Sequence, residues 1–387
     1  MNTRKILYVF GSSNYSGAEI VITRLMEKNP LVEPTVLCPD GSFADLLKSK
    51  SITVKSQNAL KALNRANVQR SKLATLLIFA SNFLLINATV FFLILRRRLN
   101  IVHANNLSAS VYILPLVIVF KALRLPVKFV WSNHDLVYPD GQKMDNLAEK
   151  CVKHFDTTLA VSLAVKNKFS AGLHNKIEIL YNGLDLEAFK FSDALRSTFR
   201  ERISAGDDIV FAIVGLIIPR KGHLLLMEAF KRLSRQYDNI RLLIVGKFLP
   251  VEHDYELAVR AQVDNKNIFL QDYTNNVVEL YSGIDVLVNA SLPEMSEPLG
   301  TTIYEAMAIN RIAVASDTGG SPEIITDRVD AFLFRAGDVA ALEFVLANII
   351  NNWDKLDGIR DNARKLTEEK FNIDAMVMNY NTILKIA

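Results

Sequence analysis

The residues best suited to chemistry lie in Ser296-Glu-Pro-Leu-Gly-Thr-Thr-Ile-Tyr-Glu-Ala-Met-Ala308. A predicted strand at 286–290 and a Pro-containing loop precede them, which places Gly300 and Thr301 where a helix should begin. A helix start presents unpaired N–H groups and a positive dipole end, which suits it to phosphate. Gly300 lets a ligand approach the backbone, and Thr301 or Thr302 adds a hydroxyl donor. Glu305 falls about 8 Å further along the axis, at roughly 1.5 Å per residue. Glu297 stands on the other side of the helix start. Carboxylates flanking a phosphate suit one ligand with hydroxyls at both ends, such as a nucleotide-sugar. Spacing alone equally allows Glu297 to cap the helix and Glu305 to be a surface charge.

A second cluster, Val214-Gly-Leu-Ile-Ile-Pro-Arg-Lys-Gly-His223, joins a predicted strand end to a helix. Ligands of open α/β sheets bind at the carboxyl ends of strands. There Arg220 can chelate phosphate oxygens bidentately and Lys221 can supply a mobile second charge. Two cations on a diphosphate would also stabilise it as a leaving group. The alternative is that they are solvated basics at a turn. Nearer the start, Phe10-Gly-Ser-Ser-Asn-Tyr-Ser-Gly-Ala-Glu19 follows the first predicted strand. It is no P-loop, because Ala18 stands where the lysine is required, and no dinucleotide fingerprint, because Ser13 breaks the glycine pair. Gly17 is read as a point where the backbone meets the donor. Ser132-Asn-His-Asp135 ends another strand, where His134 can bond a sugar hydroxyl and Asp135 can orient it, unless His134 is an ordinary satisfied loop residue.

Two rhythms of short apolar runs and longer helical stretches position these groups. Strands are predicted at 5–10, 35–38, 101–104, 127–131, 158–161 and 176–180, then again at 208–214, 241–245, 267–270, 286–290 and 312–316. Such alternation signals repeated βαβ units and parallel sheets. The polar stretch 182–208 reads as an interdomain linker. The division expected is an N-terminal Rossmann-like acceptor domain over 1–190 and a donor-nucleotide domain over 191–365. A C-terminal helix over 366–387 crosses back to the first domain, with an interruption near Phe371–Asn372. The fold class is α/β, two Rossmann-like domains facing a central cleft.

Charge narrows the partners. Residues 1–190 carry 24 Lys+Arg against 13 Asp+Glu, a net of +11, and the remainder carries −7, which together make the +4 of the chain. No acidic residue occurs between Asp45 and Asp135, a span holding thirteen basic ones: Lys48, Lys50, Lys55, Lys61, Arg65, Arg70, Lys72, Arg96, Arg97, Arg98, Lys121, Arg124 and Lys128. An anionic partner is implied. Nucleic acid is disfavoured because the basic stretch lacks interleaved aromatics of the RNP type, which leaves an anionic membrane surface. Residues 73–95 are uncharged and long enough to span a bilayer, but strands before and after them must join one sheet, so the chain cannot change sides. Thr75, Asn82 and Thr89 recur every seven residues and give this helix a narrow polar stripe. It is read either as a domain helix packed on the sheet or as one dipping a face into a membrane near 73–95. The run 6–10 is too short for a signal-peptide core. Cys38 and Cys151 are far apart, which fits a reducing compartment and gives no zinc spacing. No Asp-x-Asp pair or His/Cys cluster offers a metal site, so no metal or other cofactor is expected.

In combination and order these motifs resemble the retaining glycosyltransferase family 4 (glycosyl transferases group 1), whose members have the two-domain GT-B fold. The resemblance rests on Gly17-Ala-Glu19, the His134 strand end, Asn182-Gly-Leu-Asp185, Pro219-Arg-Lys-Gly222, the Glu297/Glu305 pair and Asp317-Thr-Gly-Gly-Ser-Pro-Glu-Ile324. It departs from the family where glycines are common, at Ala308-Ile-Asn310 and at Asp272–Thr274, the latter beside the expected nucleotide pocket. The resemblance implies a nucleoside-diphosphate-sugar donor, with uridine the default base. Arg220 and Lys221 would grip the diphosphate, Thr301 and Thr302 its oxygens, Glu305 the ribose and Glu297 the transferred sugar, with His134 beside that sugar. It implies retention of configuration without metal, the donor phosphate taking the acceptor proton. With the basic first domain it points to a cytoplasmic enzyme, peripheral on the inner face of the plasma membrane. That enzyme would extend a glycan or lipid-linked glycan in cell-surface polysaccharide synthesis. A sugar-nucleotide epimerase or a phosphorylase of the same fold, and an inactive donor-binding or membrane-scaffolding subunit, are the competing readings.

Overall fold

The computed structural model describes residues 3–15, 17–63, 72–138 and 141–386. Two compact units divide the chain: Met1–Tyr181 with Ile373–Ala387, and Asn182–Asn372.

The first unit is built on seven parallel strands: β1 (Arg4–Val9), β2 (Val32–Cys38), β3 (Thr53–Ser56), β4 (Ile101–Ala104), β5 (Lys128–Asn133), β6 (Thr157–Ala160) and β7 (Ile177–Ile179). Their order is β3-β2-β1-β4-β5-β6-β7. Helices connect parallel strands and cover both sheet faces, so the central strands read as unbroken apolar runs. The order reverses beside β1, the usual place for ligands in such sheets. The helix Ile373–Leu384 belongs to this unit through a buried polar cluster. The Tyr380 hydroxyl lies 3.3 Å from that of Tyr8 and 2.9 Å from His103 Nδ1, while His103 Nε2 meets Ser132 Oγ at 2.7 Å. Burial pushes His103 down to about 3, so a neutral ring serves this network.

The second unit carries six parallel strands: β8 (Ile209–Ile217), β9 (Ile240–Phe248), β10 (Ile268–Asp272), β11 (Val286–Asn289), β12 (Ile312–Ser316) and β13 (Phe332–Phe334), ordered β10-β9-β8-β11-β12-β13. Phe211, Leu226, Phe230, Ile244 and Leu346 lie at the centre of its core.

Three features differ from the sequence reading. The supposed linker at 182–208 is packed structure within the second unit, which begins at Asn182 rather than at 191. Its helix Asp193–Arg202 buries Phe199, and Arg196 and Arg200 bond the buried carboxylate of Asp285 at 2.7 and 2.9 Å. Leu184 N donates to Phe371 O, which keeps the segment up to Asn372 in this unit; the C-terminal piece of the first unit starts at Ile373, not 366. Strands β3 and β13 were not anticipated. Both are short sheet-edge strands, and β3 alternates exposed and half-buried residues instead of forming an apolar run.

The apolar helix expected near 73–95 runs over Lys72–Arg97. Ile86, Val90 and Ile94 are buried against the protein, with Asn87 and Thr89 beside them, while other apolar side chains of the helix face out. Asn87 sits between turns of the neighbouring helix Leu107–Ala122, where Nδ2 donates to Tyr112 O at 2.8 Å and Oδ1 accepts from Leu116 N at 3.1 Å. Thr89 Oγ1 accepts from Gln57. Leu84, Phe92 and Leu95 are 75%, 66% and 59% exposed. By length and composition the helix is apolar enough to cross a membrane. Arg65, Arg70 and the side chains of Lys72 and Thr75 lie outside the described residues.

Candidate active site

Within the second unit, two strand ends and one helix start bring the predicted cations and carboxylates together. After β8 the chain makes a short turn, Pro219–Lys221, and re-enters helix at His223–Leu233. Gly222 joins them with φ +71°, and a Cβ there would stand 1.9 Å from Ala290 O, so only glycine fits. Leu292 N donates to Arg220 O at 2.9 Å, which ties this turn to the loop after β11. Beneath Lys221, Gly215 has φ +139°, and the nearest atom to a Cβ there would be Lys221 Nζ at 3.6 Å.

Glu297 is buried and surrounded by donors. Lys221 Nζ contacts Oε1, Arg220 Nη1 lies 3.9 Å from the same oxygen, and Asn289 Nδ2 donates to Oε2 at 3.0 Å. Ser291 Oγ donates to Asn289 Oδ1 at 2.9 Å and fixes the amide. Glu297 therefore does not cap the following helix. Its main chain is clamped by Gly319 and Gly320: Gly320 N donates to Glu297 O at 3.0 Å, and a Cβ on Gly319 would lie 2.2 Å from that oxygen.

The helix Thr301–Ala308 starts at Gly300, which has no side chain to cap the first-turn amides. Thr301 and Thr302 are half-buried in that turn. Gly300 has an ordinary φ of −68°. A Cβ there would come within 2.7 Å of Ile303 Cδ1 and 3.1 Å of Asn289 Nδ2, so packing against the amide that orients Glu297 also requires glycine. Glu305 is half-buried rather than a free surface charge, and its Oε2 accepts from the Tyr281 hydroxyl at 2.8 Å. Burial holds that phenol well above its ordinary range, which keeps it a donor.

Electrostatically the cluster is rich in cation. Desolvation, then the adjacent Arg220 guanidinium, push the Lys221 ammonium down to about 7, opposed by the Glu305 carboxylate. A lysine so placed gains stability from any further negative charge brought to it. The arrangement can receive a dianionic group on Arg220, Lys221 and the first-turn amides, with one carboxylate at either side.

Gly17 and His134 belong to the first unit. Gly17 opens the helix Gly17–Lys28, and a Cβ there would meet nothing within 4 Å, so no packing contact explains this glycine. His134 follows β5, half-buried, and burial pushes its imidazole down to about 4. Its Nε2 lies 2.8 Å from Asn105 Oδ1. In the neutral ring that contact makes Nε2–H the donor and leaves Nδ1 an acceptor. Lys168 Nζ donates to the carbonyls of Asp135 and Leu136 at 3.0 and 3.2 Å, which fixes the loop after His134.

A family model for glycosyl transferases group 1 matches residues 196–366, and one for glycosyltransferase family 4 matches residues 16–188. The chain belongs to the family 4 glycosyltransferases of group 1. These two matches take in nearly all of both units, and structures sharing the GT-B fold superpose on the whole chain. HepE from Anabaena, solved in complex with UDP, aligns with a TM-score of 0.80 at 21% identity, covering 99% of this chain and 100% of its own. The capsular polysaccharide biosynthesis glycosyltransferase CapM of Staphylococcus aureus is 24% identical over 254 residues, 62% of this chain and 65% of CapM. The GPI3 subunit of a Saccharomyces cerevisiae phosphatidylinositol N-acetylglucosaminyltransferase is 23% identical over 254 residues, 62% of this chain and 53% of that subunit. The matches thus span less than two thirds of these curated relatives.

In this family 4 chain the structure gathers Arg220, Lys221, Glu297, Gly300, Thr301, Thr302 and Glu305 in one unit. It adds residues that sequence reasoning did not single out: Asn289 and Ser291 behind Glu297, and Tyr281 behind Glu305. Asn289 had a legible signal, a polar residue ending a buried strand. Tyr281 had none, because its partner lies 24 positions away on another helix.

Proposed function

We propose that this protein transfers a sugar from a nucleoside-diphosphate-sugar, with UDP-sugar the default, to a glycan or lipid-linked glycan acceptor in cell-surface polysaccharide synthesis. The observation that carries the donor half is the convergence of Lys221 and Arg220 on Glu297 beside the uncapped start of Thr301–Ala308. In this reading the two cations and the first-turn amides hold the diphosphate and stabilise it as it leaves. Glu297, freed as Lys221 turns to phosphate, bonds hydroxyls of the sugar, and Glu305, oriented by Tyr281, bonds the ribose. On the first unit, His134 offers Nδ1 as an acceptor for a sugar hydroxyl, the role the family resemblance implies for it. Transfer with retention follows from the family resemblance: the acceptor oxygen attacks on the face the diphosphate leaves, and a phosphate oxygen takes its proton. Arg220 and Lys221 supply the positive charge that a metal ion would otherwise bring.

The acceptor half rests on the first unit, with its acid-free basic span and its outward-facing apolar helix, which suit an enzyme peripheral on the inner face of the plasma membrane. The capsular-polysaccharide and phosphatidylinositol names of two relatives support a surface-glycan or lipid acceptor. Thermal unfolding against a panel of nucleoside diphosphates and their sugars, with and without EDTA, tests the donor half. A ligand at 100 times its Kd stabilises by about 2.7 kcal/mol. An EDTA-insensitive shift with one nucleotide-sugar is expected. No shift with any of them overturns the donor reading, and a shift abolished by EDTA overturns metal independence.

A further inference from the structure

The end of the apolar helix holds a basic pocket that the donor reading does not use. It lies in the first unit where β1, β2 and β3 meet that helix, with a volume of about 650 Å³. Lys5, Lys55, Arg96, Arg97 and Arg98 line it, and Glu33, 3.9 Å from Lys5, is the one carboxylate among the lining residues. Thr35 and Thr53 supply hydroxyls. Five cations against one acid suit a phosphate.

What borders the pocket identifies the source of that phosphate. The helices Lys72–Arg97 and Leu107–Ala122 run in the same direction, since Phe83 meets Tyr112 and Phe91 meets Phe120. Their carboxyl ends therefore adjoin and present exposed Leu95, Ile118, Val119 and Leu123 interleaved with Arg96–Arg98 and Arg124. Both helices close in the same way. Leu99 N donates to Ile94 O and Leu125 N to Phe120 O, and the left-handed residue each closure requires is an arginine, Arg98 at φ +54° and Arg124 at φ +53°. Glycine is the unstrained residue there. Arginine at both accepts backbone strain and places two guanidinium groups at the rim of an apolar surface. Apolar side chains that face outward beside cations match the interface of a bilayer, with acyl chains on one side and phosphates on the other.

We propose that this pocket binds the phosphate of an anionic bilayer lipid and seats the two helix ends in the headgroup layer. The inference rests on the membrane-surface reading above and adds to it a discrete site, on the side of the sheet where its strands begin. The test is sedimentation with vesicles of phosphatidylcholine alone or with phosphatidylglycerol added, at constant ionic strength. Each basic residue near an anionic surface contributes about 1 kcal/mol, so the double variant Lys55→Ala, Arg97→Ala should bind the anionic vesicles about 30-fold more weakly. The control Arg235→Ala, Lys355→Ala, which removes the same charge from the second unit, should bind as wild type does. Equal weakening in both would mean net charge rather than a site and would overturn the proposal. Wild-type binding by the pocket variant overturns it as well, and leaves the membrane reading standing. Failure of the unaltered protein to bind any vesicle defeats both. Inorganic phosphate should release the protein from anionic vesicles more effectively than chloride at matched ionic strength, and equal release by both would mean diffuse attraction rather than a phosphate site and would overturn the proposal. Lys55, Arg235 and Lys355 are exposed and Arg97 is half-buried, and unchanged melting temperatures would confirm that the variants fold.

Discussion

Lys221 is the residue through which the donor reading is most exposed to refutation, because its charge state is set by its surroundings. Only the ammonium binds a diphosphate. Burial and Arg220 bring it down to about 7, so in the free enzyme the charged form prevails below pH 7 and is lost as pH rises through 7. For the donor, kcat/KM should therefore fall about tenfold per pH unit above 7, while kcat, which reports the bound complex, should hold to higher pH because the diphosphate re-stabilises the ammonium. A unit charge about 4 Å from a phosphate oxygen is worth roughly 4 kcal/mol at an effective dielectric constant of 20. Removing one preorganised donor typically costs about 10²–10³ in kcat. Lys221→Met should lose activity on that scale at pH 6, with UDP binding weakened and the fold intact. Lys221→Arg keeps the charge beyond any accessible pH, so whatever activity remains should lack the alkaline fall. Rates measured from pH 5.5 to about 9 with a fixed donor and acceptor decide the matter. An alkaline limb that persists unchanged in Lys221→Arg would refute the assignment of that limb to Lys221. Full activity in Lys221→Met would refute its role altogether.

Two further outcomes follow from the same geometry. Glu305→Gln removes a charged acceptor and should weaken UDP binding by about 1.5–3 kcal/mol, measured by calorimetry, while Tyr281→Phe, which only loosens that carboxylate, should cost about 1 kcal/mol. Equal affinity in Glu305→Gln would mean that Glu305 does not touch the nucleotide. Asp285→Ala leaves Arg196, Arg200 and Arg311 without their shared buried carboxylate. It should destabilise the second unit by about 3–5 kcal/mol in thermal unfolding.

Much of this protein was legible along the chain, because the physics concerned is local. Parallel strands covered on both faces must be apolar throughout, so the central strands of both sheets stood out, whereas the edge strand β3 lacks that pattern and β13, though apolar, is only three residues long. Gly222 and the cations beside it could be read from a strand end followed by a turn, and Gly300 with its threonines from a helix start. The same locality misled at 182–208, where polarity suggested a linker. Its Arg196 and Arg200 are polar because they bond Asp285, about ninety positions onward. Which carboxylate would meet which cation was likewise beyond a one-dimensional reading: Glu297 and Lys221 are separated by 76 positions. A sidedness was also hidden. The polar stripe of the helix Lys72–Arg97 was evident from spacing, but spacing cannot say which way a stripe faces. Asn87 and Thr89 turned inward beside the buried Ile86, Val90 and Ile94, where Tyr112, Leu116 and Gln57 bond them, and that left Leu84, Leu85, Phe92 and Leu95 outside. Composition and periodicity thus determined two Rossmann-like halves and the residue types for a phosphate site, since each follows from neighbours in sequence. Tertiary structure alone decided the partners of Glu297, the hold on Glu305 and the outward face of the apolar helix, because hydrogen bonds and burial are settled between segments the chain keeps far apart.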